Sequence, residues 1–266
     1  MLKKSLDLYQ VDAFASKTFE GNPAAVCPLD SWLPDELLQK IAEENNLSET
    51  AFFVREKNEF SLRWFTPEAE VDLCGHATLA AAHVLFEHLS FQSQYVTFHT
   101  KSGALIIEKT NNGYSMTFPA SQLEPVTPPP TLIQALGVNP KTVLADFDYI
   151  VVLNSEEDLR NLTPDFVQLT ELDRRGVVVT APADDSDIDF VSRCFFPKLR
   201  VNEDPVTGSA HCELAPYWSE QLGINTLQAR QLSKRQGSMT CKISQDNVVL
   251  IGHAVDYLQG KITLEL

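Results

Sequence analysis

Two stretches of the chain resemble each other and decide the predicted fold. Arg63-Trp64-Phe65-Thr66-Pro67 returns in the second half as Arg193-Cys194-Phe195-Phe196-Pro197, with the pattern R-x-F-x-P in both. Each copy precedes a glycine that begins a helix-like run of small residues, Gly75-His76-Ala77-Thr78 in the first and Gly208-Ser209-Ala210-His211 in the second. The proline-rich segment Glu124–Pro130 between them is typical of a linker. This order of features predicts an internally duplicated protein.

The duplication predicts two domains, residues 1–122 and residues 123–266, and the last strand is a candidate to pack back on the first half. The net charge of −15 comes from 21 basic and 36 acidic side chains in 266 residues. It divides almost evenly between the halves, so neither end is an acidic tail. An even division fits two equivalent halves.

The acidity restricts the classes of partner. Nucleic acid binding needs a basic face, and an anionic membrane surface repels negative charge, so we expect neither partner. A small anionic substrate remains possible if the site supplies a local positive field. No stretch approaches the roughly 20 apolar residues of a membrane span. No apolar run follows Lys3-Lys4 either, so we expect no secretory signal. Five widely spaced cysteines favour reduced thiols and a cytoplasmic location.

The pattern of apolar residues predicts an α+β fold with mostly antiparallel sheets. Helices are expected from Pro34, over Gly75–His88, and after Gly208, where Pro216 predicts a kink or an early stop. Asn111-Asn112-Gly113 predicts a hairpin turn. Strand-like runs include Leu8–Phe14, Thr50–Val54, Phe60–Phe65, Tyr95–His99, Ala104–Glu108, Tyr114–Phe118, Tyr149–Leu153, Gly176–Thr180, Phe190–Phe195, Asn247–Ile251 and Lys261–Leu266.

The two glycine-led helix starts are candidate anion sites. A helix that opens with Gly75-His76 or Gly208-Ser209 offers free backbone N–H groups and the positive end of its dipole. Two such ends facing one cleft would hold a carboxylate or a developing enolate. The alternative is that each glycine only permits a tight turn from strand to helix.

Two carboxylates are candidates for proton transfer. Glu49 lies between a predicted helix and a very apolar strand, where desolvation would raise its pKa into a useful range; the alternative is a solvated surface glutamate. Asp204 precedes the second glycine-led helix, either as a turn residue before proline or as a group that orients substrate and assists proton traffic.

A zinc site is a weaker interpretation. Cys74, His76, His211 and Cys212 form a conceivable ligand set, but the sequence has no CxxC spacing, and neighbouring side chains on a helix point apart. We therefore predict no metal site. No sequence context favours one thiol as the nucleophile of a cysteine hydrolase.

Long, ordered motifs resemble the PhzF family, the phenazine biosynthesis-like proteins that share the diaminopimelate epimerase fold. The resemblance implies two pseudo-symmetric halves, each a mostly antiparallel sheet wrapped round a central helix, with the active site in the cleft between them. It also implies isomerase chemistry without a metal or organic cofactor, in a biosynthetic process, and a homodimer. The motifs are Asp12–Phe14, Phe19–Val26, Leu47–Phe52, Arg63–Pro67, Glu70–Ala80 and Glu203–Cys212.

The resemblance also carries roles over to individual residues. The family's catalytic glutamate, histidine and aspartate fall on Glu49, His76 and Asp204, and its helix-start serine falls on Ser209. The glycines whose amides hold the substrate carboxylate fall on Gly75 and Gly208, beside His76 and Ser209.

One departure from the wider fold bears on mechanism. Diaminopimelate epimerases use two cysteines, each preceding a glycine of this kind, but here Cys74 has Thr207 as its counterpart. A one-base route through Glu49 is therefore expected, with Cys74 as a small buried filler. The resulting hypothesis is an isomerase acting on a small carboxylate-bearing metabolite. The alternatives are a non-catalytic metabolite-binding protein that retains the cleft and, third, a zinc hydrolase.

Overall fold

The computed structural model describes residues 3–265, whose internal contacts divide them into two units. The first unit runs up to Thr117 and resumes at Ile251, and the second is Phe118–Leu250. The first unit contains helices α1 (Asp35–Asn45) and α2 (Gly75–Glu87) and strands β1 (Lys3–Ala13), β2 (Asn22–Leu29), β3 (Glu49–Glu56), β4 (Glu59–Phe65), β5 (Glu70–Val71), β6 (Tyr95–Thr100), β7 (Gly103–Thr110), β8 (Gly113–Pro119) and, at the end of the chain, β18 (Ala254–Glu265); β8 extends two residues past Thr117.

The strands of the first unit form a mixed, mostly antiparallel sheet. β1 pairs antiparallel with β2 and with β18, and β2 runs parallel to β3. β4 pairs antiparallel with β3 and β5 and parallel with β6, and β6, β7 and β8 follow as an antiparallel meander. The predicted hairpin turn is confirmed between Thr110 and Gly113. Gly113 has φ +106°, and a Cβ there would lie 2.3 Å from the carbonyl oxygen of Gly252, so only glycine fits.

Helix α2 is the central helix of this unit. Every residue from His76 to Phe86 is buried, as the apolar character of the segment on all sides predicts. The helix contacts β1, β2, β3, β7 and β18. Helix α1 is amphipathic instead, and Leu38, Ile41 and Ala42 pack it into a core cluster with residues of β1 to β4.

The second unit contains four helices, of which the last is the longest. Its elements are α3 (Pro130–Leu136), α4 (Glu156–Arg160), α5 (Phe166–Leu169) and α6 (Gly208–Leu222), a 3-10 turn at Pro197–Leu199, and strands β9 (Glu124–Pro125), β10 (Thr142–Ala145), β11 (Tyr149–Val152), β12 (Val177–Pro182), β13 (Phe190–Phe196), β14 (Val201–Asp204), β15 (Thr226–Gln231), β16 (Gly237–Ser244) and β17 (Asn247–Gly252); the last two residues of β17 belong to the first unit.

The second unit repeats the connectivity of the first. β11 runs parallel to β12, β12 antiparallel to β13, β13 parallel to β15 and β15 antiparallel to β16. β2, β3, β4, β6 and β7 make the same series of pairings. The short strands β5 and β14 each pair with the central strand of their series and lead into α2 and α6. The predicted α+β fold with a central helix in each half is therefore confirmed.

The repeated R-x-F-x-P motif has the same structural use in both units. Arg63 donates from Nε and Nη2 to the two carboxylate oxygens of Glu70, at 2.7 and 2.9 Å. Arg193 makes the same bidentate pair with Glu203, at 2.7 and 3.0 Å. Each guanidinium also lies over the phenylalanine two residues later, 5.1 Å from the ring centroid. Each ion pair links a short strand that precedes a glycine-led helix, β5 or β14, to the central strand of its series, β4 or β13.

The predicted division into two domains after residue 122 stays a prediction. In the structure the last strand, β18, pairs with β1 from Lys3 to Ala13. The last residue of the predicted strand Lys261–Leu266 lies outside the described residues. Seven strands have no counterpart among the predicted ones: β2, β5, β9, β10, β14, β15 and β16. β2, for example, is mostly buried and contains two prolines, so it shows no alternation of polar and apolar residues.

A kink or an early stop of the second glycine-led helix was expected at Pro216; the early stop is wrong, and the kink stays a prediction. Helix α6 continues through Pro216 to Leu222 and ends at Gly223, which has φ +70°. Proline has no N–H to donate to the carbonyl of Cys212 four residues earlier. The backbone N–H of Ser121 donates to that carbonyl instead, at 3.2 Å, so the helix interior keeps its hydrogen bonding.

Two further expectations concern the state of the cysteines and membrane-spanning segments. All five cysteines are free thiols, and all are buried. Among the described residues, no helix has the length and apolar character needed to cross a membrane.

Candidate active site

Glu49, His76 and Cys74 lie together in the first unit. Glu49 is the first residue of β3 and lies opposite Ala24 of the parallel strand β2. His76 is buried in the first turn of α2, and its Nε2 atom is 2.9 Å from Oε2 of Glu49. The Glu49 side chain is 17% exposed, and Oε2 has no well-aligned hydrogen-bond partner. The contact is therefore a close ion pair whose carboxylate oxygen retains acceptor capacity.

The start of α2 leaves its backbone donors without a side-chain cap. Cys74 is the N-cap residue, in an extended conformation, and its side chain makes no capping hydrogen bond. Its carbonyl accepts from the hydroxyl of Thr78 at 2.6 Å. Gly75, the first residue of the helix, is partly exposed. This helix start is therefore open to an anion.

Neighbouring charges set the protonation of His76 and Cys74. Burial lowers the pKa of His76, but the interactions of its ring with Cys74 and Glu49 outweigh this effect and raise that pKa well above its ordinary value. Burial, with Glu49 nearby, raises the pKa of the Cys74 thiol to about 11. The Cys74 thiol is then neutral at pH 7, and its sulfur lies 3.5 Å from Nδ1 of His76.

Asp204 lies at the corresponding helix start of the second unit. It is the last residue of β14, and its Oδ2 atom accepts a hydrogen bond of 2.6 Å from the hydroxyl of Thr207, the N-cap residue of α6. Gln231, which is fully buried, accepts from the backbone N–H of Thr207 at 2.8 Å and donates to the carbonyl of Asp204 at 2.7 Å. The side chains of Gln231 and Asp204 thus hydrogen-bond to the loop before α6.

A charged network that the sequence did not single out supports Ser209. Arg175 donates from Nη2 to the Ser209 hydroxyl oxygen at 3.1 Å. Its Nε and Nη2 atoms also form a bidentate pair with the fully buried Asp148, at 3.0 and 2.5 Å. The serine oxygen accepts from Arg175, so its own hydrogen remains available for another acceptor. Arg175 also brings a positive charge to this helix start of an acidic protein.

Glu213 lies one turn of α6 beyond Ser209 and is buried beneath this network. Its Oε1 atom accepts from the backbone N–H of Asp148 at 3.2 Å, and its buried Oε2 atom has no hydrogen-bond partner. Burial, and then the charge of Asp148, raise the pKa of Glu213 to about 8. The side chain therefore carries a proton at pH 7.

Gly208 has space beside its α-carbon. Its φ lies outside the left-handed region, and a Cβ would only touch a methyl group of Leu250, at 3.6 Å. Neither backbone conformation nor crowding within the protein therefore requires glycine here.

The predicted site residues thus form two groups. His76 contacts both Glu49 and Cys74 in the first unit, and Asp204 and Ser209 flank the start of α6 in the second. Of the four conceivable zinc ligands, His211 and Cys212 belong to neither potential metal-ligand cluster found among residues 3–265.

Nδ1 of His211 instead contacts the carbonyl of Thr207 at 2.8 Å, and burial lowers the pKa of His211 to about 4. A surface groove of about 870 Å³ in the first unit, lined partly by β1 residues, contains none of the predicted site residues.

The chain is similar to known proteins over most of its length. The chain is 51% identical to an uncharacterized isomerase of Pseudomonas aeruginosa over 259 residues, which covers 97% of this chain and 99% of that protein. A PhzF-family crystal structure from Enterococcus faecalis matches with a TM-score of 0.95 and 47% identity, over 97% of this chain and 99% of that one. A hydroxyproline epimerase from Agrobacterium vitis shares the fold, with a TM-score of 0.58 and 10% identity over 98% and 93% of the two chains.

The fold is thus that of the diaminopimelate epimerase-like isomerases. The family model for phenazine biosynthesis-like proteins matches residues 11–260. The chain belongs to this family, the PhzF family, and it is an isomerase.

Proposed function

We propose that this isomerase moves a proton within a small carboxylate-bearing metabolite, with Glu49 as the general acid and base and without a cofactor. The observation that carries the proposal is the Glu49 carboxylate, held 2.9 Å from His76 beside the uncapped start of α2, with an Oε2 atom that has no well-aligned partner. A carboxylate with free acceptor capacity next to an anion-binding helix start suits removal of a proton close to a bound carboxylate.

The chemical steps follow from these positions. Glu49 takes a proton from the carbon next to the acceptor group, which leaves an enolate-type anion and a protonated Glu49. Glu49 then returns that proton to another carbon of the same anion, so that atoms and charge balance. His76, protonated beside Glu49, would stabilise the anion or relay the proton, and Asp204 would orient the substrate or assist the proton traffic.

A one-base route fits the residues better than a two-thiol route. Cys74 is a neutral thiol at pH 7, because its pKa is about 11. Thr207 occupies the position of the second cysteine, and its hydroxyl already donates to Asp204 at 2.6 Å. The pair of thiols that a two-base racemisation needs is therefore missing from this chain.

We further propose that the starts of α2 and α6 share one substrate site, in a cleft between the halves. The repeated connectivity supports this proposal, because each half carries a glycine at the equivalent helix start. The amides of Gly75-His76 and Gly208-Ser209 would bind the carboxylate, and Arg175 would add positive charge. A crystal structure with a bound carboxylate compound tests this arrangement; an anion that touches neither helix start would contradict it.

Assembly and location are part of the same proposal. We expect a homodimer in the cytoplasm, which light scattering of the purified protein and fractionation of cells measure directly. A monomer at micromolar concentration would contradict the first expectation, and export from the cell would contradict the second.

The central experiment is hydrogen exchange at substrate carbon in deuterated buffer, followed by NMR. A panel of amino acids, hydroxy acids and unsaturated acids, including trans-4-hydroxy-L-proline and methylitaconate, provides the compounds. Glu49→Gln should abolish exchange of any compound that the natural protein exchanges. Glu56→Gln, at the exposed end of the same strand, is the matched control and should keep the full rate.

The outcomes separate the candidate functions. Full exchange by Glu49→Gln would exclude Glu49 as the base. Compounds that bind tightly but neither exchange nor convert would favour the non-catalytic binding protein.

A further inference from the structure

A cluster of two histidines and one aspartate lies at the far end of α2 from the proposed catalytic group. Nε2 of His83 is 3.1 Å from Oδ1 of Asp256, and Nε2 of His88 is 2.9 Å from the same oxygen. The three candidate ligand atoms all lie within 4.8 Å of one another. The cluster shares no residue with the group of Glu49, Cys74 and His76.

A chain of hydrogen bonds determines which nitrogen of His83 carries hydrogen. Lys109 lies 2.7 Å from Oε1 of Glu87, so this carboxylate is ion-paired and accepts hydrogen bonds. The hydroxyl of Tyr114 donates its single hydrogen to the same Glu87 oxygen at 3.0 Å. The Tyr114 oxygen must therefore accept from Nδ1–H of His83, at 2.9 Å.

The neutral tautomer that results directs a lone pair at a carboxylate. With Nδ1 as the donor, Nε2 of neutral His83 is an acceptor, and it faces Oδ1 of Asp256 at 3.1 Å. Two acceptors at this separation repel each other unless a cation lies between them, either a proton or a metal ion. A ligating histidine that donates its other nitrogen to an outer partner is the usual arrangement at metal centres.

We propose that His83, His88 and Asp256 form a binding site for a divalent transition-metal ion of the zinc type. Zinc bonds to nitrogen and oxygen are ~2.0–2.1 Å long, which puts neighbouring ligand atoms of a tetrahedron ~3.3 Å apart. The separations of 3.1 and 2.9 Å are close to that value and need only a small expansion. Two imidazoles and one carboxylate select such an ion over Mg²⁺ or Ca²⁺, which prefer oxygen ligands.

The three ligands come from two elements, helix α2 with its C-cap residue and strand β18. The register of β1 with β18 shifts by one residue, because Val11 lies opposite Asp256 whereas Gln10 lies opposite Leu258. Tyr257 is the extra residue of this bulge, and a bulge redirects the side chains beside it. The ring of His88 packs on the ring of Tyr9, with the centroids 4.9 Å apart.

The site would join the last strand of the chain to the central helix. His83 lies in α2 and His88 is its C-cap residue, while Asp256 comes from β18. The role goes beyond the proposed proton transfer, because it concerns none of the residues assigned to that reaction. A metal ion bound here would stabilise the folded chain.

The test is titration of the purified, metal-free protein with Co²⁺ and Zn²⁺, monitored by absorption and by calorimetry. The expected result is one equivalent bound, with a Co²⁺ spectrum that lacks a thiolate charge-transfer band, which a site at Cys74 would produce. Asp256→Asn and His88→Gln alter partly exposed ligands and should each weaken Zn²⁺ binding more than about 100-fold. Tyr114→Phe removes the acceptor for Nδ1–H and should weaken binding about 10- to 100-fold.

Matched controls distinguish this site from other histidine and cysteine contacts. Glu59→Gln alters the exposed pair in which Nε2 of His99 lies 2.5 Å from Glu59, and Cys74→Ser alters the other cluster. Both variants should bind Zn²⁺ as the natural protein does. Failure to bind either metal at equimolar concentration would overturn the proposal. So would binding that survives Asp256→Asn, or binding that is lost in Cys74→Ser.

Discussion

Replacement of Glu213 by glutamine should make the protein more stable at neutral pH. Burial and the charge of Asp148 raise the pKa of Glu213 to about 8, against an ordinary value of 4.5. Between these two values the folded protein keeps a proton that the unfolded chain has released. The stability that Glu213 contributes is therefore fully present below pH 4.5 and is lost as the pH rises towards 8.

The magnitude follows from the size of that shift. Stability falls by at most about 1.4 kcal/mol for each pH unit in this window, so the loss between pH 5 and pH 7 is roughly 2–3 kcal/mol. Glutamine has no proton to hold, and its side-chain oxygen can still accept from the backbone N–H of Asp148, as Oε1 of Glu213 does at 3.2 Å. Glu213→Gln should therefore lack this loss, and its stability relative to the natural protein should rise by roughly 2–3 kcal/mol from pH 5 to pH 7.

Urea unfolding of both proteins at pH 5, 6 and 7 measures this difference. Other titrating groups cancel in the comparison, because both proteins carry them. Glu220→Gln, at an exposed position of the same helix, is the control and should show no change of the difference with pH. A stability difference for Glu213→Gln that is equal at pH 5 and pH 7 would refute the buried, protonated state.

The remaining predictions concern the two helix starts. Gly208→Ala should leave thermal stability unchanged or raise it by about 0.4–1 kcal/mol, because the new methyl group meets only Leu250 at 3.6 Å, yet it should slow deuterium exchange. Gly223→Ala, at the other end of the helix with φ +70°, should instead cost about 1–2 kcal/mol in thermal denaturation with exchange retained, and the opposite ranking would contradict the role given to Gly208. Cys74→Ser should keep the exchange rate within about tenfold, a change of ~1.4 kcal/mol in the barrier, because a thiol with a pKa of about 11 does not act as the base at pH 7; complete loss would show that the thiol takes part.

Local sequence patterns predicted most of the secondary structure. The apolar run Gly75–His88 predicted a buried helix, and the structure has α2 over Gly75–Glu87. Asn111-Asn112-Gly113 predicted its hairpin because the turn residues determine the connection locally. The early helix stop expected at Pro216 did not occur, because a residue remote in the sequence intervenes. Ser121 donates to the carbonyl that Pro216 leaves without a helical donor.

The candidate site was predictable to a similar extent. The residues that resemble the family motif, such as Glu49 and Ser209, could be named from the sequence. Arg175 and Asp148 could not, because neither stands in a recognisable motif, and they reach Ser209 only through the packing of the second sheet against α6. The same holds for Asp256, which meets His83 across 173 positions of the chain.

The sequence by itself therefore determined the duplicated architecture and the two glycine-led helices. These features are encoded in short segments whose turn, capping and burial requirements are local. Only the tertiary structure decided which charged groups share a proton or face a common cation. Those contacts join distant residues such as Glu213 with Asp148, or His88 with Asp256, and their energies depend on burial and on distances of about 3 Å that no spacing along the chain specifies.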